Sequence, residues 1–278
     1  MKKSVLAIHD LSCHAASSLS VVLPLLLAAG LDTSFLPSAL LSSQSDGFDN
    51  LFVRDLSREC DEIMERWKSY SLHFDCLYTG YLASESQLEL VLRARSSFLS
   101  PSALIVTDPV MGDEGKLYQN LGSSHIAMMK SLCRGSSVIT PNYTEALLLA
   151  GRSDGYAAET TLHEAEELAI RLSSECTSSV VITSIPLSGG IYANLACDGT
   201  QVRAFTYEDL RASYPGCGDM FASLLVAFLL NDESFFVSVH KAGEIASYAI
   251  RETLKEKKER REGVSVSHAV RRMLEMKF

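Results

Sequence analysis

The segment ALIVTDPVMGD, residues 103–113, governs how the chain is read. A short apolar run ending in β-branched residues breaks off at Asp108, just before a proline that cannot continue a strand ladder. Such a run suits a strand buried on both faces of a parallel sheet. Its terminal carboxylate would then open onto the space beyond the sheet edge, where ligands of such sheets bind. Aspartate before proline is also a common turn starter, and in isolation the turn explains it.

Working outward, the runs SVLAI at 4–8, FDCLYTG at 74–80, SSVITP at 136–141 and SSVVITS at 178–184 have the same character. Between them, 84–99, 121–133, 142–150 and 159–174 carry apolar residues at helical spacing. This alternation predicts an α/β fold with a mostly parallel sheet covered on both faces. GGIYANLA at 189–196 and TQVRAFTY at 200–207, joined around CDG, predict an antiparallel hairpin. The segments 218–230, 234–256 and 265–275 read as helices. No linker or repeat interrupts the chain, so residues 1–278 are expected to form a single domain.

Composition narrows the function classes. Hydrophobic residues make up 47% and charged residues 21%, as in ordinary globular domains. A net charge of -9 argues against a nucleic-acid surface. The basic run KEKKERR at 255–261 interleaves with glutamates and predicts a solvated helix face. Seven scattered cysteines without CxxC spacing fit free thiols in a reducing, cytoplasmic setting. The longest apolar stretch, VVLPLLLAAGL at 21–31, is too short to span a bilayer. No membrane partner is expected.

The polar residues at the predicted strand ends are Asp10 and Ser12, Tyr81, Asp108 and Asp113, Asn142 and Glu145, and Thr183 and Ser184. They are oxygen-rich and include no lysine or arginine. Such a set suits magnesium. Further along, YPGCGDMFASLL at 214–225 places Gly216, Cys217 and Gly218 before an apolar helix, with Asp219 in its first turn. Helix N-termini collect anions, and an acid beside them can serve as a general base. An N-cap aspartate is the commoner meaning of such a residue. Taken together, these features describe phosphoryl transfer. The GxxxxGK[ST] pattern is missing, which excludes a P-loop enzyme. His9 and His14 have no third ligand at useful spacing and predict no metal site. A thiol at a helix N-terminus is expected to have a lowered pKa, which would make Cys217 reactive.

These segments resemble the ribokinase-like superfamily and, within it, the pyridoxal kinases. TDPVMGDEGKLY at 107–118 is similar to the family's DPVxGD segment with its tyrosine, TPNYTEA at 140–146 to TPNxxEA, and GCGD at 216–219 to GTGD. TGY at 79–81 matches outright, and AIHDLSCHAASSLSVVLPLL is placed like the vitamin-binding segment. The resemblance implies a three-layer α/β/α kinase that phosphorylates the 5′-hydroxymethyl group of a vitamin B6 vitamer. Hydroxymethylpyrimidine kinase and a catalytically weak vitamin- or nucleotide-binding homologue stay open as alternatives.

The resemblance also implies roles. Asp219 matches the base, and Gly216, Cys217 and Gly218 the anion hole. Asn142, Thr183, Ser184 and Tyr118 fall at ATP and phosphate positions. Asp108, Asp113 and Glu145 fall where Mg-ATP is arranged, with a monovalent cation such as K+ near Asp108 and Thr183. Asp10, Ser12, Ser45 and Tyr81 fall at the vitamin pocket. A homodimer is the implied assembly. Cys217 in place of threonine, Asp46 in place of glycine and Asp10 in place of serine depart from the pattern and bear on rate and substrate choice.

Overall fold

The first strand, β1 (Ser4–Ser12), is almost wholly buried, and the rest of the sheet is built outward from it. A computed structural model describes residues 2–118, 121–152, 156–176, 179–210 and 212–276. Beyond β1, the strands are β2 (Asp32–Leu41), β3 (Val53–Asp55), β4 (Phe74–Thr79), β5 (Leu99–Thr107), β6 (Gly112–Asp113), β7 (Lys116–Leu117), β8 (Val138–Ile139), β9 (Ser179–Leu187), β10 (Ile191–Cys197) and β11 (Val202–Glu208). Nine of them form one sheet in the order β11-β10-β9-β8-β5-β4-β1-β2-β3. From β2 to β9 every pairing is parallel, and antiparallel strands finish both edges. The expected hairpin is β10–β11, in register from Ile191 opposite Glu208 to Cys197 opposite Val202. Of the strand expected over 178–184, residue 178 lies outside the described residues.

The helices are α1 (Leu19–Ala28), α2 (Ser57–Lys68), α3 (Glu85–Phe98), α4 (Ser123–Cys133), α5 (Tyr143–Leu149), α6 (Leu162–Cys176), α7 (Cys217–Leu230), α8 (Phe235–Lys255) and α9 (Val266–Glu275). They divide between the sheet's faces. One core joins the sheet to α2 through α6, with Leu6, Leu77, Leu90, Phe98 and Leu168 among its buried residues. The other joins the opposite face to α1 and α7 through α9, with Val5, Tyr78, Leu225 and Ile245 inside it. This is the three-layer α/β/α arrangement the alternation predicts.

Two stretches depart from the sequence reading. The 12–68 region contains α1, β2, β3 and α2, none of which the strand and helix patterns picked out. The basic run at 255–261 is no helix face: α8 ends at Lys255, and Arg260–Glu262 form a 3-10 turn. Among the described residues no helix is long and apolar enough to cross a membrane.

Candidate active site

The parallel strands deliver Asp10, Tyr81, Asp108 and Asn142 to one edge of the sheet, and α7 points its first turn there. Gly216 is the N-cap of α7, in a left-handed conformation with φ 84°. A Cβ at this position would stand 2.7 Å from the Ala16 carbonyl oxygen and 3.0 Å from Val21, so the close approach needs glycine on both counts. Asp219 is therefore not the helix N-cap, and its carboxylate reaches away from its own helix. Oδ2 accepts the Ser18 N–H at 2.8 Å, across 201 residues of sequence. Burial, with a smaller push from Asp10, raises its pKa to about 6, against the pull of the Ser18 N–H.

Ser18 ties the site together. It sits at the start of α1 with φ 48°, an unfavourable region for a residue with a side chain. Its hydroxyl donates to Asp10 Oδ1 at 2.6 Å while its backbone holds Asp219. Asp10 is buried, and burial raises its pKa although the Ser18 and Ser12 hydroxyls favour the carboxylate. The Ser12 hydroxyl stands 3.5 Å from Asp10 Oδ2 and accepts from Ser17 at 3.2 Å. Tyr81 lies close by: its pKa is raised by burial and then by the charge of Asp10. Sequence reasoning missed Ser18 because a serine ahead of an all-apolar helix carries no sign of two long-range partners.

Asp108 is buried, accepts from the Thr140 hydroxyl at 3.1 Å, and is raised to about 8 by burial and the charge of Asp219. A Cβ on Gly218 would lie 3.7 Å from Asp108 Oδ2, so the first turn of α7 faces this acid. The N–H of Cys217 is already bonded to the Tyr214 carbonyl at 3.3 Å. Cys217 thus adds little to the expected amide cradle, which falls to the remaining first-turn N–H groups of α7. Against the expected reactive thiol, burial pushes half-buried Cys217 up to about 12, with Asp219 adding to it and the Tyr214 backbone and Arg260 pulling the other way.

Glu145 is buried, its pKa raised by burial and by the charge of Asp108, and both of its oxygens hold backbone. One oxygen accepts from Met111 N–H at 2.9 Å and the other from Asn142 N–H at 2.8 Å, while the Asn142 side chain accepts from Glu145 N–H. That is a capping box on α5, with the Asn142 amide also donating to the Gly112 carbonyl at 2.8 Å. Asp113 is exposed and accepts from Glu114 N–H at 2.8 Å. Among the described residues no three His, Cys, Asp or Glu side chains are arranged to hold a metal ion.

Thr183 pairs through its N–H with the Pro141 carbonyl, and the next residue, Ser184, is exposed at φ 56°. Tyr118 keeps much of its ring exposed, while its phenol is raised by loss of water around the hydroxyl and by the charges of Glu145, Asp113 and Asp108. Ser45 is exposed in the β2–β3 loop. A clip from the 3-10 turn holds this loop. Gln44 donates to the carbonyls of Asp46 and Arg261, and Asp46 pairs with Arg260. The Arg261 guanidinium covers the Phe48 ring at 5.3 Å. The charge at Asp46 is thus neutralised from the basic run, and the pull of Arg260 also reaches Asp113 and Cys217.

A mostly parallel α/β/α sheet with a carboxylate at a helix N-terminus beyond its strand ends defines a ribokinase-like kinase. The chain belongs to the phosphomethylpyrimidine kinase family, whose model matches residues 61–263. It is 31% identical to pyridoxal kinase of Arabidopsis thaliana over 70% of this chain and 63% of that one. Pyridoxal kinase of Lactobacillus plantarum superposes with a TM-score of 0.88 at 29% identity, covering 99% of this chain and 97% of that chain. A Bacteroides thetaiotaomicron protein, named after phosphomethylpyrimidine kinase and crystallised with pyridoxal, gives a TM-score of 0.91 at 32% identity. It covers 98% of this chain and 96% of that one.

Proposed function

We propose that the protein transfers the γ-phosphoryl group of ATP to the 5′-hydroxymethyl group of a vitamin B6 vitamer. The observation that carries this reading is Asp219. One of its oxygens is fixed by Ser18, the other is free of any hydrogen bond among the described residues, and it stands at the start of α7 beside Asp108. Asp219 would take the proton of the substrate hydroxyl. The new bond joins that oxygen to the γ-phosphorus, and the bond from phosphorus to the β-γ bridging oxygen breaks, its electron pair leaving with ADP. The free N–H groups of the α7 first turn would hold the phosphoryl oxygens.

Burial and Asp219 raise Asp108 to about 8, and among the described residues no cation opposes them, so magnesium shared with phosphates and water would hold it as the carboxylate. Bound there, the ion would neutralise phosphate charge, with Asp113 at the rim. Asp10 and Tyr81 would hold the pyridine ring, and Ser45 would approach it from the clipped loop. The family model's description, phosphomethylpyrimidine kinase, keeps a methylpyrimidine as a second substrate class. An ATP-consumption assay over pyridoxal, pyridoxamine, pyridoxine and hydroxymethylpyrimidine tests the assignment. Turnover of at least one B6 vitamer is expected, and activity on the pyrimidine alone would overturn it.

A further inference from the structure

His9 lies on β1 with no exposed surface, and neither ring nitrogen reaches a hydrogen-bond partner among the described residues. Buried polar atoms are nearly always partnered, so an orphaned imidazole calls for an explanation. Its ring stands edge-on to Tyr78, with 4.4 Å between centroids. A Cβ on Gly80 would fall 2.6 Å from His9 Nδ1, so the glycine of TGY is what makes room for the ring. Nδ1 is 4.0 Å from Asp219 Oδ1, the oxygen that the Ser18 N–H leaves free.

Building on the reading of Asp219 as the base, we propose that His9 is its positioning residue. The neutral imidazole presents Nδ1–H to Oδ1 and fixes the carboxylate plane between β1 and Ser18. Burial drives the imidazole pKa down to about 3 despite the nearby Tyr78 backbone, so the ring is uncharged at working pH. One nitrogen must then carry the hydrogen; of the two acceptors near the ring, the Tyr78 backbone and the Asp219 carboxylate, the charged one facing Nδ1 draws it more strongly. An uncharged donor orients the base without the full positive charge that would weaken it as a proton acceptor. Catalytic contacts are commonly long before substrate arrives and tighten afterwards.

Steady-state kinetics of four variants test this: His9→Leu, His9→Asn, Asp219→Asn and the double variant His9→Leu/Asp219→Asn. His9→Leu is expected to lower kcat by about 10- to 100-fold, with KM for ATP and the vitamer near wild type. His9→Asn, whose amide can take the place of Nδ1–H, recovers most of that loss. In the Asp219→Asn background the leucine costs nothing more, because the group it positions is gone. Wild-type kcat in His9→Leu, equal losses in the leucine and asparagine variants, or additive losses in the double variant would each overturn the proposal. If the leucine variant does not fold, His9→Gln replaces it, since its donor is displaced and it must show the same loss. Near-normal kcat in Asp219→Asn would instead remove the base assignment underneath, so the two failures are separable.

Discussion

The carboxylate of Asp219 carries opposite consequences for activity and for stability. With a pKa raised to about 6 by burial, it is ionised at neutral pH, and kcat/KM is expected to fall about tenfold per unit as pH drops below 6. The same shift runs the other way for folding. The folded state binds this proton more tightly than the unfolded chain, whose value is near 3.8, so the stability this group contributes declines as pH rises from about 4 to about 6. Asp219→Asn should therefore lose about 10²–10⁴-fold in kcat while melting at the same or a higher temperature at pH 7.5. A pH–rate profile beside a melting curve checks both halves. Cys217 gives a contrasting expectation. With its thiol pushed up to about 12, it should alkylate slowly, and exposed Cys13 should react first, as peptide mass mapping would show. Cys217→Thr keeps the backbone and should keep kcat near wild type.

At the scale of elements, the clip between the β2–β3 loop and the 3-10 turn holds Ser45 without adding much to stability. An exposed pair such as Asp46–Arg260 is worth at most about 1 kcal/mol. Arg260→Gln or Asp46→Asn should therefore leave the melting temperature nearly unchanged. The KM for the vitamer is expected to rise by no more than about fivefold, and exchanging the two charges should recover part of it. Steady-state KM values for both substrates check this, and the KM for ATP should stay put. The parallel strands, the β10–β11 hairpin and the helices from 84 onward were legible because each keeps one clear periodicity. The 12–68 region was not. Helix α1 is apolar on nearly every face and carries Pro24, so no amphipathic stripe marks it. Strand β2 includes Pro37 and β3 is three exposed residues, patterns that read as loop. The site divided along the same line. Asp10, Asp108 and Asp219 were visible as acids at element ends. His9, Ser18 and the Arg260 turn owe their places to contacts between distant segments, which spacing along the chain does not report. Glu145 sits in a legible motif, yet the Met111 and Asn142 N–H groups that its oxygens hold are contacts the motif does not spell out.

On the scale of the whole molecule, the site draws on the first strand, the middle of the sheet, and a helix after residue 216. The turn at 260–262 closes its rim: Ala16 N–H bonds the Glu262 carbonyl, and Val264 N–H bonds the Pro215 carbonyl. Contacts of such separation form late, since loop closure must be paid for before they return anything. The bond from Ser18 to Asp219 thus has a meaning in time as well as in space. On a ribosome, a nascent chain that has emerged only as far as β11 has Asp10 and Ser18 but neither Asp219 nor the helices α7 to α9 that complete its second core. A chain nicked at the exposed Asp198–Thr200 turn would likewise carry the two halves of its chemistry on separate pieces. Its activity after dilution would then follow how tightly the pieces cling to each other.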